Sequence, residues 1–123
     1  MLQRGIHGMD NILRKGQRLI EMNYGKWSGR KLSSLAKDSR WKKVINKPST
    51  FTFPEGESFK QMRTRVDRLL ADLASHNGSI LLITHGDIIK MMLASTLNLP
   101  IDRFQAFVAE PASISTIRIE KKS

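Results

Sequence analysis

Apolar residues fall at Phe59, Met62, Val66, Leu69, Leu70 and Leu73, with Arg63, Arg65, Asp67, Arg68 and Asp72 between them. Steps of three and four predict an amphipathic helix with one buried stripe. Ser58 stands where an N-cap belongs, and Asn77-Gly78 supplies a left-handed stop. The run Ile80-Leu81-Leu82-Ile83 inside residues 79–84 predicts a short strand buried on both faces, as in a parallel sheet. After His85-Gly86-Asp87 a second, more apolar helix is expected over residues 88–97, ended by Asn98-Leu99-Pro100. Two β-rich stretches, 104–109 and 113–119, close the chain on either side of Glu110-Pro111.

Upstream the pattern weakens. Tyr24, Gly25, Trp27 and Gly29 crowd into a turn, and a helix over residues 32–45 would face Leu35, Trp41, Val44 and Ile45 inward. Pro48 ends it by biasing Lys47 away from helix. Residues 1–20 are basic and weakly patterned, with Ile12, Leu13 and Leu19 too sparse to define a helix, and this beginning reads as a tail. Helix, strand, sharp turn, helix and further strands together predict an α/β fold: a three-layer α/β/α sandwich on a mostly parallel sheet. In such sheets chemistry lies at the carboxyl ends of the strands, which here is the turn carrying His85.

Composition narrows the field. A chain of 123 residues suits one domain, and 40% hydrophobic with 26% charged residues is ordinary for a globular protein. The absence of cysteine rules out disulfides, thiolate metal sites and cysteine nucleophiles. No apolar run approaches the ~20 residues of a membrane span and no signal peptide opens the chain, so a cytoplasmic location is expected. The net charge of +10 is lopsided: residues 1–50 hold twelve Lys/Arg against three acidic residues, and residues 51–123 hold nine against eight. A basic front half suits phosphate-bearing partners, though it is equally what a solvated basic face looks like. Basic–aromatic alternation is missing, which disfavours nucleic acid.

Three places could carry chemistry. His85, at a strand end with Gly86 and a helix start behind it, makes a natural phosphate site from an imidazole and backbone N–H groups; the alternative is a surface or core histidine. Glu21, ahead of the aromatic turn, becomes a general acid if its neighbours raise its pKa, and is otherwise a surface glutamate in a basic stretch. Gly56-Glu57-Ser58 reads as a loop and N-cap, with Glu57 near the positive helix end.

The motifs Glu21-x-x-Tyr24-Gly25-x-Trp27-x-Gly29, Phe53-Pro54-x-Gly56-Glu57-Ser58 with Arg65-Val66, Thr84-His85-Gly86-Asp87, and Pro111-Ala112-Ser113-Ile114-Ser115 occur in this order. In order and context they resemble the histidine phosphatase superfamily, the phosphoglycerate mutase-like proteins, and within it bacterial phosphomutases. The resemblance runs from about residue 19 to the C-terminus. It implies phosphoryl transfer through a phosphohistidine, by a phosphatase or phosphomutase acting on a small phosphorylated substrate, without metal or organic cofactor. By it, His85 matches the second, phosphate-binding histidine and Glu21 the acid/base. Tyr24, Gly86 and Asp87 match substrate-pocket positions.

The departures are as informative. The family's nucleophile lies in an Arg-His-Gly motif on the first strand, and this sequence has none. Ile6-His7-Gly8 lies too close to Glu21 to be it. Leu2-Gln3-Arg4 aligns with the segment that supplies a second phosphate-binding arginine, which would make Arg4 that residue. The expectation is a single partial domain over residues 1–123, lacking the first strand, nucleophile and first arginine. An exposed sheet edge left by that strand would invite pairing with another copy of the chain. A phosphate-binding remnant without turnover is the second reading, and a basic nucleic-acid-binding module the third.

Overall fold

The computed structural model describes residues 19–76 and 78–119. Its backbone is helical: α1 (Leu32–Leu35), α2 (Trp41–Asn46), α3 (Phe59–Leu73) and α4 (Gly86–Thr96), joined by short 3-10 turns at Gly25–Trp27, Pro48–Thr50 and Ile101–Ala106. The stripe read from the sequence is the buried face of α3, where Phe59, Met62, Val66 and Leu69 are sealed from solvent. Ser58 starts that helix with a full capping box. Its Oγ accepts from the Gln61 N–H at 3.0 Å, and Gln61 Oε1 accepts from the Ser58 N–H at 2.8 Å.

α3 ends at Leu73, earlier than the sequence suggests. The Ser75 hydroxyl donates to the Asp72 carbonyl at 2.7 Å and ties off the last turn. Asn77 lies outside the described residues, while Gly78 takes the left-handed φ of +84° expected of it. α4 closes as its Asn-Leu-Pro tail predicts. Asn98 adopts φ +56°, and the N–H groups of Asn98 and Leu99 return to the carbonyls of Ser95 and Ala94 in a Schellman pattern.

α3 and α4 pack on each other and on the Ile101–Ala106 turn. An aromatic cluster fills the space beneath them. Phe53 sits 5.0 Å from Phe51, 5.4 Å from Trp27 and 5.5 Å from Phe59, and Phe104 sits 5.3 Å from Phe59. Trp27 and Trp41 are therefore core aromatics, 6.5 Å apart.

Other expectations need correction. The helix over 32–45 is two short helices, because Asp38 competes for the backbone. Its carboxylate takes the Arg40 N–H at 2.9 Å and the Arg40 guanidinium at 2.8 Å, which also holds that carboxyl well below its usual range. The stretch 104–109 begins inside a 3-10 turn, seeded by Pro100 as its N-cap and pinned where Asp102 accepts the Ser49 N–H at 2.8 Å.

The largest correction concerns fold class. The three-layer sandwich on a mostly parallel sheet is not what the described residues form: they contain no β-strand, and the one bridge between them joins Thr52 and Ser58. A strand exists through its ladder, and residues 79–84 and 113–119 run extended without one between described residues. Nor is 79–84 buried on both faces. Ile80 and Leu82 pack on the core while Ile83 is 46% exposed.

No helix among the described residues is long and apolar enough to cross a membrane.

Candidate active site

Glu21 and His85 are 64 positions apart in sequence, yet Glu21 Oε2 stands 4.0 Å from His85 Nδ1. The chain brings them together by anchoring both approaches. On the Glu21 side, Leu19 and Met22 are buried in the core on either side of it. On the other, the Thr84 hydroxyl, one residue before His85, donates to the Leu19 carbonyl at 2.7 Å. His85 then serves as the N-cap of α4 in extended conformation, with its side chain free of any capping bond. Glu21 Oε2 thus lies beside the start of α4, where first-turn N–H groups have no partner within the helix.

Tyr24 and Asp87 complete the cluster. The Tyr24 hydroxyl donates to Asp87 Oδ2 at 2.5 Å, and Lys90 holds Asp87 Oδ1 at 3.2 Å, one turn along α4. Lys90 also donates to Gln105 Oε1 at 2.6 Å and rides 5.3 Å above the Phe104 ring. Glu21, Tyr24, Asp87, Lys90 and Gln105 line an open cleft of about 480 Å³, with Phe107, Val108 and Ala109 on its apolar side and His85 just outside the lining. Gly86 also lines it.

The electrostatics shift Glu21 toward keeping its proton. Burial raises the Glu21 pKa above its ordinary 4.5, the Met22 N–H bond works against that rise, and the Asp87 charge adds to it. Burial likewise pushes the Tyr24 hydroxyl up, reinforced by its bond to Asp87, so the phenol stays a donor. A protonated Glu21 can give a proton to a leaving oxygen, and it spares an incoming anion one like charge. Lys90 and Tyr24 together offset the other carboxylate, Asp87.

The raised value makes a prediction for stability. The folded chain holds the Glu21 proton more tightly than the unfolded one, so that stabilisation is complete below the ordinary value and is lost as pH rises through the raised one. Glu21→Gln, which never ionises, should melt above the native chain at pH 7 and close to it at pH 4. Melting curves at the two pH values check this, and an equal gap at both would contradict it.

The structure thus brings together five of the residues singled out in the sequence: Glu21, Tyr24, His85, Gly86 and Asp87. Arg4 lies outside the described residues. Lys90 and Gln105 escaped sequence reading. Lys90 had a usable signal, its position three residues after Asp87 on a helix. Gln105 had none, because its place depends on the 3-10 turn that the sequence reading took for a strand.

The family model for the histidine phosphatase superfamily (branch 1) matches residues 6–123. The chain belongs to that superfamily. Among curated proteins it is 24% identical over 112 residues to phosphoserine phosphatase 1 of Hydrogenobacter thermophilus, covering 88% of this chain and 53% of the relative. It is 30% identical over 104 residues to the "probable phosphoglycerate mutase" of Erwinia tasmaniensis, covering 81% and 48%. The chain therefore spans about half the length of these histidine phosphatase relatives.

Solved structures agree in the path of the backbone. The α-ribazole phosphatase of Shigella flexneri superposes with a TM-score of 0.63 at 22% identity, over 76% of this chain and 48% of that one. The mycobacterial glucosyl-3-phosphoglycerate phosphatase with inorganic phosphate superposes at 0.63 and 24% identity, over 78% and 52%. The described residues follow the trace of about half such a phosphatase, without strand ladders of their own.

Proposed function

We propose that this chain carries the phosphate-binding and proton-transfer half of a phosphoryl-transfer site for a small phosphorylated substrate. The observation behind this reading is the meeting of Glu21 and His85 at 4.0 Å beside the start of α4. His85 and the first-turn N–H groups would hold phosphoryl oxygens, and offset the charge that gathers on them as the bond to the leaving group breaks. Glu21 would protonate the leaving oxygen, then take a proton from the incoming water or hydroxyl as phosphorus is released. Tyr24, Gly86 and Asp87 would face the rest of the substrate, with Asp87 fixing the Tyr24 hydroxyl. Arg4 would add a second cation.

The family's covalent step has no assigned nucleophile here, since no Arg-His-Gly occurs in these 123 residues. Binding and proton transfer, rather than complete turnover, are what the chain by itself supports. Both relatives' names involve phosphorylated hydroxy or amino acids, and a substrate of that size suits the cleft; we place the protein in the cytoplasm, where such metabolites are found.

Incubation with p-nitrophenyl phosphate between pH 5 and 8 tests this reading. The 123-residue chain should bind the ester without releasing p-nitrophenolate above background. Release abolished by His85→Ala would place a working nucleophile inside these residues and overturn the half-site assignment.

A further inference from the structure

An ion pair outside the cleft holds the segment that carries Glu21. Arg65, on α3, grips Glu57 with two parallel bonds, Nε to Oε2 at 2.8 Å and Nη2 to Oε1 at 3.0 Å. Both side chains are mostly withdrawn from water, at 17% and 14% exposure. Desolvating such a pair offsets much of its Coulombic gain, so stability alone is a poor account of it. Further bonds from the pair are directional. Arg65 Nη1 donates to the Ile20 carbonyl at 2.7 Å, one residue before Glu21. Glu57 Oε1 accepts the Asn23 N–H at 3.1 Å, two residues after it, and the Glu57 N–H returns to the Asn23 carbonyl at 2.8 Å.

Leu19 and Met22 bury the flanks of this segment, but Ile20 itself is 54% exposed, so the guanidinium adds a hold at its carbonyl that its own side chain does not supply. Three separate guanidinium nitrogens meet the carboxylate edge and the carbonyl, a planar fork that an ammonium does not reproduce. We infer that the Arg65–Glu57 pair is a positioning device, a clamp that grips the backbone on both sides of Glu21 and aims its carboxyl at His85. The inference rests on the acid/base reading of Glu21 given above.

Arg65→Lys and Arg65→Met in the full 123-residue chain separate this role from electrostatics. The charged groups facing Glu21 are Asp87, His85 and Arg65 itself, whose attraction lowers the Glu21 pKa. Losing that attraction would move the Glu21 midpoint up, whereas releasing the segment into water would move it down. Carboxyl-detected NMR titration should show the midpoint falling back to the ordinary carboxylate range in both variants. Exchange of the Asn23 amide should quicken about tenfold, as loss of one hydrogen bond implies, while the buried amides of α3 and α4 hold their rates. A midpoint that stays or rises, with Asn23 exchange unchanged, would overturn the clamp. Should Arg65→Met fail to fold, Arg65→Lys, which keeps the charge, decides alone. A native Glu21 that titrates in the ordinary range would instead remove the acid assignment, and Asn23 exchange would still decide the clamp.

Discussion

Gly25→Ala should lower the melting temperature by roughly 10 °C and pull Tyr24 away from Asp87. Gly25 sits at φ +55°, a left-handed conformation that costs an alanine about 1–2 kcal/mol. A Cβ built there would meet the Pro54 carbonyl oxygen at 2.0 Å and the Gly56 nitrogen at 2.6 Å, both backbone atoms that no rotamer change can move. Overpacking of this kind adds about 1–3 kcal/mol. The two turns, 23–27 and 53–57, would have to part, breaking the bond from the Lys26 N–H to the Pro54 carbonyl at 2.8 Å. Tyr24 belongs to the first of these turns and lines the cleft, so the damage reaches the site. Thermal melting with the Tyr24 ring resonances as a local probe checks both parts; an unshifted melt would contradict the close packing of these turns.

Phe104→Ala should be costlier, at about 3–5 kcal/mol, against a total of about 5–15 kcal/mol for a typical domain. Phe104 is fully buried, packs on Phe59 at 5.3 Å, and supports Lys90 from below. Truncation would leave a void between α3, α4 and the Ile101–Ala106 turn. The loss propagates to the cleft, because Gln105 is the next residue and Lys90 stands over the missing ring. Denaturant unfolding measures the first effect. Phe104→Leu, which restores most of the volume, should recover more than half of it. Equal costs for the two variants would show that the ring does not act by filling space.

How much of this was written in the sequence depends on the range of the force involved. α3 was legible at its Ser58 cap and along its stripe, since both are local, while its end at Leu73 falls short of the Asn77-Gly78 stop that the sequence offers. The Asn98 stop of α4 was legible for the same reason. The pairing of Glu21 with His85 was legible only through the family's motif order, because nothing local joins positions 64 apart. The sheet was misjudged on a real signal. The run 80–83 is apolar enough for a strand, but strand formation is decided by a partner, and no partner strand is described. Asp38 shows the opposite failure, a local competitor inside an otherwise helical pattern that periodicity does not weigh. Glu57 was read as a helix-end charge; its grip on Asn23 and Arg65 depended on the turn geometry.

The central claim is that His85, Glu21 and the start of α4 form a phosphate site, and one titration tests it most directly. Inorganic phosphate is added at constant ionic strength to the isotope-labelled 123-residue chain and to His85→Ala, followed by NMR. The account predicts saturable shifts of the His85 ring, the Gly86 and Asp87 amides and the Glu21 carboxyl, all lost in the variant. Shifts confined to the lysines and arginines of residues 26–47, screened away by added salt and indifferent to His85→Ala, would contradict it and mark the chain as a basic surface without a site.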